Sequence, residues 1–467
     1  MKISKDVYEA HRELSTCSVN FLEFIKDNPE SVVRSNFQTI VSDKTYAYFR
    51  AQPWPTFINK ATKKEMEEAG IKLFDLITSL PERLFDFDPH KMSSYFHIPG
   101  NEMELMLYGI DNHHMSGLLG RADFVLSPSD GLKCLEFNMN PSLGGWGIDF
   151  LESLYINTPV IAKFLKEYKV QLCKNHLFQT LMECLIERAL ERFGRKTWFN
   201  GEINIAIGFP KYVEGIMGRL NDRLKDLYKY FLRQNHHALN GDIFICDFEQ
   251  LQWNRHSLML RGKRIHVLIE MCYGEIPITF MELVRTGNLL LCNGPITRVM
   301  SNKLNLALLS QHQASDRFSV EERETIRKYI PWTRKIVPGE TTYKGDKVTL
   351  EDFMISNRER LVIKPSRGYG GKGVSLGFNS PPNQWKQDVE NAMRERNQVV
   401  QEYVPSHWYL YQVGAQGCAS REAVWGYFIF SSRYAGGFVR IMPEADNKRV
   451  INAGQGAEES IVLEVDE

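Results

Sequence analysis

The chain has 467 residues, enough for two or three structural units around more than one core. Hydrophobic residues make up 43% and charged residues 24%, the balance of an ordinary globular protein. Lysine plus arginine equals aspartate plus glutamate, at 57 each, so the basic excess of a dedicated nucleic-acid binder is absent.

Met1 to Asn28 mixes charges and lacks the apolar core of a signal peptide. The longest apolar runs, Asn288 to Cys292 and Ala423 to Phe430, are too short to cross a bilayer. The eight cysteines form no CxxC pair, which argues against a zinc ribbon or a disulfide framework. These features predict a cytoplasmic chain with neither membrane nor nucleic-acid partners.

The first hundred residues read mainly as helices, with Met66, Ala69, Leu73, Leu76 and Ile77 at helical spacing within Lys63 to Leu80. Two short strands follow around Ser127-Pro-Ser-Asp-Gly131, then a long helical stretch from Pro159 to Arg195. The middle, Phe199 to Leu309, mixes helices with strands at Ile203–Gly208, Ile243–Cys246 and His266–Glu270. A helix over Val320 to Lys328 opens the last third, which turns strand-rich after Leu361. Alternating strands and helices predict a multi-layer α/β (α+β) fold. Its predicted parts are a helical region (1–115), a hairpin with a glycine-rich turn (116–160), a mixed α/β region (161–310) and a strand-rich part (311–467).

The hairpin Gly120-Arg-Ala-Asp-Phe-Val-Leu126 and Leu132-Lys-Cys-Leu-Glu-Phe-Asn138 carries the sharpest chemistry. A four-residue loop at Pro128–Gly131 sets Ser127 opposite Leu132, Asp123 opposite Glu136 and Arg121 opposite Asn138. Period-two alternation puts these last four on one face, and Phe124, Leu135 and Phe137 on the other. Two carboxylates and an amide oxygen make a hard-oxygen set suited to Mg²⁺. An exposed polar face with a surface ion pair is the bland alternative. In Pro141-Ser-Leu-Gly-Gly-Trp-Gly147, Trp146 either walls a pocket or fills a core. Leu361-Val-Ile-Lys-Pro365 followed by Gly368-Tyr-Gly-Gly-Lys-Gly373 reads as a lysine strand and a glycine hairpin over phosphates, or as a plain hairpin tip. Gln398-Val-Val-Gln-Glu-Tyr-Val404 reads as a buried strand. The pairs His113-His114 and His236-His237 read as loop residues, the histidines show no HExxH or HxH arrangement, and no cysteine stands out as a nucleophile.

Taken together, these blocks resemble the ATP-grasp superfamily in its circularly permuted arrangement, as in glutathionylspermidine synthase and its bacterial relatives. Arg121-Ala-Asp-Phe with Leu135-Glu-Phe-Asn is similar to the superfamily's magnesium element. Leu361-Val-Ile-Lys-Pro with Gly368-Tyr-Gly-Gly-Lys-Gly is similar to its lysine strand and lid, and Gln401-Glu-Tyr-Val to its adenine hinge. Leu291-Cys-Asn-Gly-Pro, Ser301-Asn-Lys303 and Pro331-Trp-Thr-Arg-Lys335 support the match. The magnesium element precedes the lid by more than two hundred residues, the permuted order.

The resemblance implies a helical N-terminal region on a permuted ATP-grasp core, and an ATP- and Mg²⁺-dependent carboxylate–amine ligase working through an acyl-phosphate. It implies Asp123, Glu136 and Asn138 as Mg²⁺ ligands and Arg121 as the catalytic group steadying the acyl-phosphate. Lys364, Gly370, Gly371 and Lys372 would bind phosphate, with Lys335 as the first nucleotide lysine. Glu402 would take the ribose, while the backbone of Gln401, Glu402, Tyr403 and Val404 would flank adenine. The implied partners are a small-molecule carboxylate and an amine, an amino acid or peptide among them. A nucleotide-binding protein without ligase chemistry and a small-molecule kinase are the alternatives.

Overall fold

The computed structural model describes residues 3–28, 50–174, 176–209, 214–272, 276–368, 370–413, 417–442 and 450–467. Tyr369 of the glycine hairpin lies outside the described residues.

Among the described residues, the largest sheet runs Arg50–Ala51, Glu458–Val465, Arg433–Ile441, Gly417–Phe430, Leu119–Ser127, Gly131–Asn138. The predicted hairpin is thus one edge of a sheet whose remaining long strands all lie after residue 416. Helix Lys60–Phe85 lies across this sheet. It starts where the Asn59 side chain accepts from Thr62 N at 2.8 Å. Met66, Ala69, Leu73, Leu76 and Ile77 are buried, as their spacing predicts. Gly70 allows the close approach: a Cβ there would stand 2.9 Å from Ile429 Cδ1.

A second sheet is all parallel, in the order Leu290–Cys292, Val267–Glu270, Ile205–Phe209, Ile243–Asp247. A third is antiparallel, in the order Thr333–Lys335, Gln398–Glu402, Leu361–Pro365, Ser375–Leu376, backed by helix Pro382–Glu395. The chain is therefore a multi-layer α+β fold. No described helix is long and apolar enough to cross a membrane.

Two expectations change. Pro159–Arg195 is not one helix but two, Pro159–Glu167 and Leu177–Phe193. Lys169 takes a left-handed conformation (φ 51°), and Leu172–Cys173 then pairs with Glu464 and Val465. His114 is no loop residue. It is 5% exposed in the short helix Asn112–Ser116, its Nε2 is 2.8 Å from Asn293 O, and burial pushes its pKa down to about 4. Of the two readings of Trp146 the core one holds: half-buried, it packs against a core and stacks on Phe430 at 5.5 Å.

Phe124 and Phe137 point from the hairpin into the layer beneath the helix, where Phe124 is fully buried against Tyr427. Phe124→Ala should therefore destabilise the chain by about 3–5 kcal/mol, read as a lower urea midpoint. An unchanged midpoint would contradict this packing.

Candidate functional site

The hairpin register carries one irregularity that decides what faces the cavity. From the turn inward the pairs are Ser127↔Gly131, Leu126↔Leu132, Val125↔Lys133 and Phe124↔Cys134, one residue out of step with the expected register. A bulge between Asp123 and Phe124 absorbs Leu135 and restores Asp123↔Glu136 and Arg121↔Asn138. The sequence-based register is therefore correct at the site and wrong at the turn. The extra residue does not point to the core as expected. Leu135 joins Val125, Val404, Val424 and Ile451 in an apolar patch lining the cavity.

That cavity, of about 320 Å³, lies between the hairpin and the third sheet. Arg121, Asp123, Glu136 and Asn138 line one side, while Lys364, Gly370, Gly371, Lys372 and the Gln401–Val404 segment line the other. Lys364 Nζ reaches across to Leu135 O at 3.4 Å and to Gln401 Oε1 at 2.5 Å. Burial pushes its pKa down to about 8, partly opposed by Glu136. The lysine strand and Ser375–Leu376 form the expected hairpin, whose tip needs glycine at Gly370 and Gly371 (φ 71° and 69°). A Cβ on Gly371 would meet Val450 Cγ1 at 2.5 Å, and Gln455 Nε2 donates to Gly370 O at 3.0 Å.

The acidic pair is divided between two environments. Asp123 is 4% exposed and accepts four hydrogen bonds. Arg121 Nε bonds Oδ1 at 2.7 Å; Arg121 NH2 (3.0 Å), Arg440 NH2 (2.7 Å) and Asn138 Nδ2 (3.1 Å) share Oδ2. Burial opposes ionisation of Asp123, but the two guanidiniums outweigh it and hold its pKa below the ordinary range. Glu459, opposite Arg440 in the sheet, is pushed up by burial, which Arg440 and Arg121 only partly offset. Glu136 is more accessible and pairs with Lys303 Nζ at 2.8 Å.

These positions test the donor set for a cation. Glu136 offers a carboxylate to the cavity, and Asn138, its Nδ2 spent on Asp123, keeps its amide oxygen as acceptor. One carboxylate and one amide suit Mg²⁺, which takes few protein ligands and keeps water and phosphate oxygens. Asp123 fits the third position poorly: one donor holds Oδ1 and three crowd Oδ2, and two of its three partner side chains are cationic. Among the described residues, no group of three or more His, Cys, Asp or Glu could hold a metal ion by itself.

Lys335 does not line the cavity. Helix Pro89–Phe96 covers that end of its strand, and Nζ donates to Tyr95 O at 2.5 Å. Lys303 stands in the cavity wall instead: besides Glu136, its amine reaches Gly368 O at 3.3 Å and its amide donates to Ser366 O at 2.9 Å. The backbone amides of Glu402 and Tyr403 are spent on Trp332 O and Arg360 O, both at 2.8 Å. Glu402 Oε1 accepts from Tyr343 OH (2.9 Å) and Arg360 NH2 (3.1 Å). Buried Glu422, absent from the sequence-based set, also lines the wall. Asn140 Oδ1, Ser142 Oγ and Arg440 Nε are buried in the lining without a partner among the described residues.

No protein-family model matches the chain, and no curated protein matches its sequence. Among solved structures, a glutathione synthetase-like effector from Globodera pallida, in its apo form, matches over 94% of this chain and 97% of its own, with a TM-score of 0.57 and 12% identity. The chain shares its overall fold with that protein. At this identity the likeness concerns the fold alone.

The two acids should respond differently to substitution. Asp123→Asn leaves two buried guanidiniums short of their counter-charge and should cost about 3–5 kcal/mol. Glu136→Ala, at a more open position, should shift the unfolding midpoint far less. Equal midpoints for the two variants would contradict this division.

Proposed function

We propose that the chain is an ATP- and Mg²⁺-dependent ligase that joins a small-molecule carboxylate to an amine through an acyl-phosphate, releasing ADP and phosphate. In this reading the site is a circularly permuted ATP-grasp site related to that of glutathionylspermidine synthase. One observation carries it: a lysine strand and glycine hairpin face a carboxylate and an amide across one cavity.

The cavity divides by chemistry. The patch of Val125, Leu135, Val404, Val424 and Ile451 offers apolar walls to a base. Lys364, Lys303 and Lys372 supply positive charge for phosphates near the glycines. The acid belongs at the polar end, where Asn140, Ser142 and Arg440 present unsatisfied atoms beside Arg121 and Gly144. Bound to Glu136 and Asn138, Mg²⁺ would neutralise charge on the ATP phosphates. Phosphoryl transfer then needs positioning and charge rather than a protein nucleophile. The carboxylate attacks the γ-phosphorus, ADP leaves, and the amine displaces phosphate from the acyl carbon. Arg121 NH1 donates to Gly144 O at 3.1 Å, which holds its guanidinium at the polar end, where it would face the carbonyl of a bound acid. Lys303 takes the first-lysine role expected of Lys335, and the nucleotide reading of Lys335 is set aside.

Glu136→Ala should lower substrate-dependent ADP release by about 100-fold or more while its circular dichroism stays native. Turnover equal to wild type would remove Glu136 from the site. The Lys364 ammonium also sets a pH dependence. Its pKa near 8 keeps it charged below pH 8 and neutral above. Affinity for Mg·ATP should be level up to about pH 8 and then fall, by up to about ten-fold per pH unit. Equal calorimetric affinity at pH 7 and pH 9.5 would contradict a phosphate role for Lys364.

A further inference from the structure

The orientation of Lys364 traces to a hydroxyl that lies outside the cavity lining. Thr333 and Gln401 stand directly opposite each other on neighbouring antiparallel strands, at 1% and 2% exposure. Thr333 Oγ1 donates its single proton to Pro331 O at 2.8 Å. A hydroxyl so committed can only accept from its other neighbours. What it accepts is Gln401 Nε2, at 3.1 Å. That contact fixes which way the Gln401 amide faces: its NH2 meets Thr333, and its oxygen is left for Lys364 Nζ at 2.5 Å.

We propose that Thr333 is a positioning residue for nucleotide binding: it sets the polarity of the Gln401 amide, and the amide oxygen aims the Lys364 ammonium at phosphate. The proposal rests on the nucleotide-binding reading of the same cavity.

Donor and acceptor counting explains why polarity matters. An ammonium has three N–H groups and no acceptor. Gln401 Oε1 and Leu135 O take two of them, which leaves one for a ligand. Burial works against the charged lysine, so an oriented carbonyl dipole is what it needs. Without the Thr333 hydroxyl, Gln401 is free to turn over. Its NH2 would then oppose the ammonium, and Lys364 would lose both its acceptor and its direction. Valine keeps the shape of threonine and removes the hydroxyl, both its bond to Pro331 O and its acceptor for Gln401.

A double-mutant cycle on the full chain, read by calorimetry with Mg·ATP, tests this. Thr333→Val should weaken binding about 3- to 10-fold, as expected for misorienting one charged hydrogen bond. Gln401→Met should weaken it at least as much, and the double variant should match Gln401→Met alone. Thr333→Ser should bind as wild type. Thr333→Ala serves as a second route to the same cycle where valine disturbs folding. Wild-type affinity in Thr333→Val, or losses that multiply in the double variant, would overturn the proposal alone. A wild-type chain without affinity for Mg·ATP would overturn the nucleotide reading with it.

Discussion

A strand pair that slips by one residue turns every side chain to the opposite face, and the Leu119–Asn138 hairpin must change register once. Leu135 is where it does so. The bulge lets Phe124 and Phe137 enter the layer beneath helix Lys60–Phe85 while Arg121, Asp123, Glu136 and Asn138 stay on the cavity face. It also turns Leu135 towards the cavity, where its carbonyl meets Lys364 and its side chain joins the apolar patch. One inserted residue thus serves the core, the polar group and the contact with the opposite wall.

Burial sets the electrostatics. Arg121, Asp123, Arg440 and Glu459 are each 6% exposed or less, so every charge needs an opposite one within reach. Long-range contacts supply them: the Arg440 strand comes from the far end of the chain and closes on Asp123 at 2.7 Å. Asp123 acts there as a fixed counter-ion, which holds Arg121 in place and leaves Glu136 as the accessible acid. Asn293 fixes the start of the same strand, its side-chain amide exchanging two 2.7 Å hydrogen bonds with the backbone of Leu119.

Much of this layout was legible in the sequence because it depends on local periodicity. Alternation placed four residues on one face, and a lysine strand running into glycines announced a hairpin. The rest depends on contacts that no local pattern carries. Nothing near Asp123 reveals that Arg440 will occupy its lone pairs. Lys335 looked suitable from its strand, but Tyr95, some 240 residues earlier, offers its carbonyl first. Lys303 enters the sequence reading only as the end of the Ser301-Asn-Lys303 block, and its place in the wall depends on a backbone bond to Ser366, where the glycine hairpin begins. Leu135 was misplaced because a bulge interrupts period two without a signature in composition.

The central claim is that this cavity activates a carboxylate by phosphorylation. Hydroxylamine trapping over a panel of carboxylic acids tests it most directly, since an acyl-phosphate yields a hydroxamate and a phosphate ester does not. Ligase chemistry predicts a hydroxamate that requires ATP and Mg²⁺ and forms in step with ADP. ADP formed with an acid that yields only a stable phosphate ester would contradict it.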